Sequence, residues 1–284
     1  MASPERDIAL KHSYYFPKGG LPGQSEKLYA PAVFTPAYAV IPATVMTDIV
    51  TSNLPLWSGA RTWIIARPLS GFAETFAQLI VELAPGGGSS EPEPDKGGEG
   101  VIFVVNGVIT LTIDGIGHHL KPGGYGFVAP GADWSIRNES DGTATFHWVR
   151  KAYEAVQGIE APSSFVTSDQ DVAPVAMPDT GGKWATTRFA DPSDLRHDMH
   201  VNIVTFQPGG VIPFAETHVM EHGLYVLQGT ARYLLNTDWV DVVPGDFMWL
   251  RAFCPQACVA TGSEPFRYLL YKDVNRHPNL RVSG

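Results

Sequence analysis

Cysteine is nearly absent. Two residues, Cys254 and Cys258, occur in 284, which excludes the disulfide framework of small secreted domains and predicts reduced thiols. Charge is sparse at 17% of residues, and within a net charge of −9 no basic run exceeds a pair. A nucleic-acid surface or an anionic-membrane anchor needs clustered cations, so neither partner is expected. No apolar run approaches the length of a membrane span, and MASPERDIALKHSYYFP lacks the apolar stretch of a signal peptide. These absences predict a cytoplasmic enzyme or binding protein.

Hydrophobic residues make up 44% of the chain, enough for one large core or two domains of about 140 residues. The order of short β-favouring runs is regular. Val40–Met46, Thr62–Ala66, Glu74–Leu83, Val101–Val105, Val108–Ile113, Tyr125–Val128 and Thr143–Val149 are separated by Gly and Pro turns. Many short strands at even spacing predict an all-β barrel or sandwich. Residues 1–37, interrupted by Pro17, Pro22, Pro31 and Pro36, read as an arm that packs on a core or a partner subunit. PGGGSSEPEPDKGGEG (85–100) reads as a flexible acidic loop.

The second half repeats the first. Leu83–Gly87 matches Phe206–Gly210, Phe103–Gly107 matches Tyr225–Gly229, Lys121-Pro-Gly123 matches Val243-Pro-Gly245, and Trp148–Lys151 matches Leu269–Lys272, at offsets of 121 to 123 residues. Two homologous barrels are the simplest explanation. The expected division is an arm with the first strands (1–60), a first barrel (61–151), a linker (152–186) and a second barrel (187–284).

GVIPFAETHVMEHGLYVLQG (210–229) concentrates potential metal ligands. On a strand Glu216 and His218 project from one face, and His222 follows just before the next strand-like run, Leu224–Leu227. His218-Val-Met-Glu221-His222 also fits the H-x-x-E-H pattern of a zinc peptidase. That chemistry needs a helix, and Pro213, Gly223 and the β-favouring residues beyond argue for strand, loop and strand. At the corresponding first-half positions stand Glu93, Asp95 and Glu99, with no histidine, so no tight metal is expected there. His118 and His119 read as a solvated turn. Lys272, inside Tyr268-Leu-Leu-Tyr-Lys272, either snorkels to solvent or points into the barrel.

Glycine, five residues, ligand, one residue, His, three residues, ligand, six residues, glycine resembles the first cupin motif, with Glu216 where the usual first His stands and His222 where Glu is usual. Pro244-Gly245-Asp246 followed by Gln256 resembles the second. FAETHVMEHGLYVLQG, PGDFMWL, PQ and RYLLYKDVNRHP (267–278) narrow the likeness to the bicupin (S)-ureidoglycine aminohydrolases, clearly over 198–280 and more weakly over 12–150. The resemblance implies a bicupin fold of two tandem jelly-roll-like barrels. It implies a metal held by Glu216, His218, His222 and Gln256, a mixed N/O set that suits Mn²⁺ or Fe²⁺, with Mn²⁺ expected. It also implies Lys272 and Glu216 as catalytic residues, Lys272 and Tyr268 against a small carboxylate or ureido substrate, and a homo-oligomer. Ala257 and Cys258 depart from the aromatics of the family pattern. Other metal-cupin enzymes, oxalate-type decarboxylases and dioxygenases, and non-catalytic binding cupins share the general motif.

Overall fold

The computed structural model describes residues 11–21, 32–68, 72–274 and 276. Beyond two single-turn 3-10 segments, its regular structure is β throughout. In the first half, the strands Ser58–Ala66, Ala77–Ser89, Gly98–Asn106, Ile109–Ile113, Ile116–Leu120, Gly124–Val128, Trp134–Arg137 and Ala144–Ala152 join in one antiparallel sheet. The long strand Ala77–Ser89 serves both sides, pairing with Ala144–Ala152 along its first part and with Trp134–Arg137 at its end. The second half builds its barrel from two sheets. One contains Trp184–Thr187, Met199–Phe206, Phe266–Asp273, His222–Gln228 and Phe247–Leu250. The other contains Asp238–Val242, Ala231–Leu235 and Gln256–Ala260.

Side-chain alternation sorts these strands into three cores. In Gly98–Asn106, Ile102 and Val104 fill the first barrel, whereas Val101, Phe103 and Val105 face outward into a core between the halves. His222–Gln228 does the same. Leu224 and Val226 enter the second barrel, while Tyr225 and Leu227 enter the shared core. A strand buried on both faces reads as a continuous apolar run, which is why LeuTyrValLeu carries no alternation. The barrels therefore pack sheet against sheet through a core that includes Trp63, Phe76, Phe103, Trp249 and Tyr271.

The internal repeat holds in three dimensions at 122 residues. Gly107 and Gly229 end equivalent strands at φ of 69° and 71°, and a Cβ on either would lie 2.4 Å from the Thr143 carbonyl or 2.3 Å from that of Pro265. The left-handed backbone and the close carbonyl both require glycine. Gly123 donates its N–H to the Val104 carbonyl at 2.8 Å as Gly245 does to that of Val226. Tyr14 packs on Gly123 and Tyr15 on Gly245.

Three sequence expectations change. The stretch 85–100 is not one flexible loop. The strand Ala77–Ser89 extends into it with Ser89 buried, the next strand begins at Gly98, and only 90–97 is irregular. Glycines at 86 and 88 with positive φ bend that strand without ending it. Nor is 152–186 a bare linker. Phe165–Ser168 pairs with Gly124–Val128 of the first sheet, and Trp184–Thr187 pairs with Met199–Phe206 of the second. The run Val40–Met46 is a strand only over Tyr38–Ile41 and then turns as a 3-10 segment, Ala43–Val45. That short strand crosses to the other half and pairs with Phe247–Leu250. Much of the expected arm lies outside the described residues, as do positions 275 and 277–278 of the RYLLYKDVNRHP run.

Candidate metal centre

The segment 213–221 is irregular, and His222 opens a strand. No helix carries His218 and His222, so the peptidase geometry is absent from this segment. Glu216 is fixed by one isolated antiparallel bridge. Its N–H donates to the Gln256 carbonyl and its carbonyl accepts from the Gln256 N–H, both at 2.9 Å. The Phe253 N–H donates to the His218 carbonyl at 2.6 Å. The ligand-bearing segment thus runs antiparallel to 253–256, across the barrel mouth from His222.

Three of the expected ligands meet in two side-chain contacts, and Gln256 joins Glu216 through the backbone. His218 Nε2 lies 3.4 Å from Glu216 Oε1, and the rings of His218 and His222 are 5.2 Å apart. Gln256 is buried and its Oε1 accepts from the Tyr233 hydroxyl at 2.9 Å. His222 Nδ1 is 2.9 Å from the Glu221 carbonyl. Donation there leaves Nε2 as the nitrogen with the free lone pair, the usual arrangement behind a metal-bound imidazole. Burial, then the nearby His218, holds the His222 pKa down to about 3, so the ring is neutral, as a ligand must be. Among the described residues no three side chains of His, Cys, Asp and Glu close into a metal cluster on their own. The donor set of one carboxylate, two imidazoles and one amide oxygen fits a hard or borderline divalent cation.

Lys272 points inward. It pairs across the sheet with His222 on one side and with His200 on the other, so the three side chains share one face. Tyr268 lies on that face two rungs deeper, between Val204 and Val226, which belong to the second-barrel core. Lys272 is half-buried on that face. Its pKa is lowered, first by burial and then by the Arg188 cation. Tyr268 is buried with its hydroxyl 3.5 Å from that of Tyr233.

Sequence reasoning missed His200, Asn202, Tyr233 and Arg188. His200 and Asn202 alternate with Met199, Val201 and Ile203. Polar residues in alternation ordinarily mark a solvent face, whereas here that face lines a barrel. His200 is buried and held to a pKa of about 4, by burial and then by Lys272. Cys258 is fully buried beside Tyr233 in the opposing sheet, with its thiol pKa pushed up by burial.

The first barrel corrects the repeat by one residue. Gly100 pairs with Arg150 as His222 pairs with Lys272, so the counterpart of His222 is Gly100 and that of Lys272 is Arg150, not Lys151. Glu99 and Lys151 face the shared core instead. A Cβ at Gly100 would lie 3.0 Å from Trp148 Nε1. Trp148 packs on Trp57 and Trp134, with ring centroids 5.6 and 5.8 Å away, and Trp134 is the counterpart of Gln256. Glu93 pairs with Arg150, and Asp95 bonds within its own turn. His118 and His119 lie on the strand Ile116–Leu120, half-buried and exposed, and the turn before it is Asp114-Gly115.

Comparison with known proteins agrees with this architecture. The profile of the cupin domain family matches residues 79–150 and 202–271. A protein of Oryza sativa subsp. japonica named "Probable (S)-ureidoglycine aminohydrolase" is 32% identical over 230 residues, 81% of this chain and 71% of that one. The (S)-ureidoglycine aminohydrolase of Arabidopsis thaliana is 30% identical over 230 residues, 81% of this chain and 74% of its own length. The crystal structure of a Pseudomonas aeruginosa protein described as glyoxylate-induced superposes with a TM-score of 0.90 at 62% identity, covering 96% of this chain and all of that one. The two profile matches, the relatives and the duplicated barrel place the chain in the cupin superfamily, as a member of its bicupin (S)-ureidoglycine aminohydrolase family.

Proposed function

We propose that the chain hydrolyses (S)-ureidoglycine to ammonia and (S)-ureidoglycolate, a step of purine (allantoin) nitrogen recovery, at a Mn²⁺ site held by Glu216, His218, His222 and Gln256. The observation that carries this reading is the row His200–Lys272–His222 on the inner face of the second barrel. It sets an ammonium beside an imidazole of the ligand set. A bound divalent cation would supply Lewis acidity and a fixed anchor for a chelating substrate.

The residues have complementary tasks. Lys272 binds the substrate carboxylate or reaches the amine that leaves, and Tyr268 lines the pocket wall below it. As the bond from the central carbon to the amine breaks, the lone pair of the ureido nitrogen moves in to form an imine-like carbon. The Lys272 ammonium donates a proton to the departing nitrogen, which leaves as ammonia. Water then adds to that carbon and returns a proton to Lys272, restoring the ammonium. A lowered lysine pKa favours such two-way exchange. Glu216 is the second group able to relay a proton. Tyr233 fixes the Gln256 carboxamide with its oxygen as acceptor.

The test is ammonia release from freshly generated (S)-ureidoglycine by metal-stripped protein with and without added Mn²⁺, with the chirality of the product determined. Mn²⁺-dependent release with (S)-ureidoglycolate formed supports the reading. No release, with carbon dioxide produced from oxalate or oxygen consumed on an aromatic acid, would replace it with a decarboxylase or dioxygenase.

A further inference from the structure

Glu221 precedes His222 and points the other way, into the seam between the halves. Its carboxylate is buried and takes four donors. They are the backbone N–H groups of Glu74 at 2.6 Å and Thr75 at 2.8 Å, the Thr75 hydroxyl at 2.5 Å and the Trp249 indole N–H at 2.5 Å. Three of the four come from the first half of the chain. The backbone of Glu221 is equally engaged, with its N–H donating to Asp273 Oδ1 at 2.7 Å and its carbonyl facing His222 Nδ1 at 2.9 Å. The same first-half segment also grips the strand beside His222. The Thr75 hydroxyl lies 2.9 Å from the Tyr271 hydroxyl, and Phe76 stacks on Tyr271 with centroids 3.9 Å apart.

A buried carboxylate is costly unless its oxygens are fully bonded, and charge-assisted hydrogen bonds are the strong kind. Four of them converge on a residue that never enters the second barrel. One peptide unit separates them from the carbonyl that orients the His222 ring. We infer that Glu221 is a positioning residue through which the first half of the chain fixes the His222 imidazole for metal binding. The first barrel is thereby part of the metal centre's support, although its own interior is closed by tryptophan. The inference rests on the metal reading above.

The test is Mn²⁺ titration of the intact metal-free protein, followed by electron paramagnetic resonance, which reads free and bound Mn²⁺ without turnover. Wild type should bind one Mn²⁺ per chain. Glu221→Gln keeps one acceptor but turns an amide NH₂ toward backbone N–H donors. It should weaken Mn²⁺ binding by about 10- to 100-fold, the usual loss when the support of a ligand is removed, and change the bound-Mn²⁺ spectrum. Trp249→Phe removes a single donor and should weaken binding less, and the two changes together should fall short of additive. Should Glu221→Gln fail to fold, Trp249→Phe and Thr75→Val carry the measurement. Wild-type affinity and spectrum in these variants, with stability alone reduced, would overturn the inference. A wild-type protein that binds no Mn²⁺ would instead remove the metal reading and this inference with it.

Discussion

Replacing Glu99 by Gln should stabilise the protein, increasingly so as the pH rises. Glu99 is buried in the seam between the halves, and neither carboxylate oxygen has a partner. Asp198, nearby, has one oxygen unpartnered, while its other accepts from Lys151 Nζ at 2.8 Å and the Glu154 N–H at 2.6 Å. Two carboxyl groups with free oxygens in one buried place are the geometric signature of a shared proton. Glu99 holds the proton beside Asp198 and Lys151. Burial first, then the Asp198 charge, pushes the Glu99 pKa from 4.5 up to about 9. In the unfolded chain the proton leaves near pH 4.5, whereas in the folded chain it stays. The folded state therefore binds more protons between these values, and stability falls as the pH rises through the window. The slope is at most about 1.4 kcal/mol per pH unit, so from pH 5 to pH 7 this group removes up to about 2.7 kcal/mol. Histidines held neutral, such as His147 with a pKa near 3, act in the opposite direction below pH 6.5, so only a difference between proteins isolates Glu99. A glutamine can donate an N–H to Asp198 without titrating. Urea unfolding at pH 5, 6, 7 and 8 should show Glu99→Gln close to wild type at pH 5 and ahead of it by a margin that grows with pH. A constant difference across the series would refute the shared proton.

Other expected outcomes separate the roles around the metal centre. Lys272→Met should keep metal content and thermal stability near wild type, because its neighbours accept a methionine, while turnover falls about 10²-fold or more, as for loss of a positioned acid or base. Wild-type turnover would return the lysine to a solvent-facing role. His218→Ala should lose metal and activity together, and metal-dependent stabilisation should disappear with them. Elemental analysis and melting curves with added Mn²⁺ check both points. Gly223→Ala places a Cβ 2.5 Å from the Phe76 ring, which is stacked on Tyr271. It should cost about 1–3 kcal/mol of unfolding free energy, the range for overpacking a core.

The fold was legible because its punctuation is chemical. Gly107 and Gly229, Gly123 and Gly245 mark the same turns in both halves, and the repeat could be read from them at nearly the right offset. Less of the site's surroundings could be read, for two physical reasons. Strands sandwiched between a barrel and the shared core are apolar on both faces, so alternation does not say which residues look inward. Glu99 and Gly100 were thereby exchanged as counterparts of His222. Conversely, His200 and Asn202 are polar in alternation and look like a solvent face until the sheet order closes a barrel over them. The contacts of Glu221 join residues some 146 positions apart, and no local pattern encodes them.

The two barrels put the same scaffold to different ends through a handful of side chains. At the rung where the second barrel sets His222 beside Lys272, the first sets Gly100 beside Arg150, and the space a histidine would need is taken by the indole of Trp148. Where the second barrel offers the Gln256 amide, the first offers Trp134 set edge-on against the same indole. A tryptophan exchanges a polar cavity for a large apolar contact, which gives rigidity and removes donors. That rigidity matters at the seam, because Thr75 and Phe76 lie just before the strand Ala77–Ser89 that spans the first barrel, and they hold Glu221 and Tyr271. A barrel filled with indoles is a firmer base for that grip than one with an open centre. On this account, loosening the first barrel at a site remote from the seam should still reach the metal. Trp148→Leu, buried wholly within the first barrel, leaves a cavity costing about 2–5 kcal/mol. It should broaden the bound-Mn²⁺ spectrum, although no atom of residue 148 approaches a ligand. An unchanged spectrum in a folded Trp148→Leu protein would show that the seam insulates the second barrel from the first.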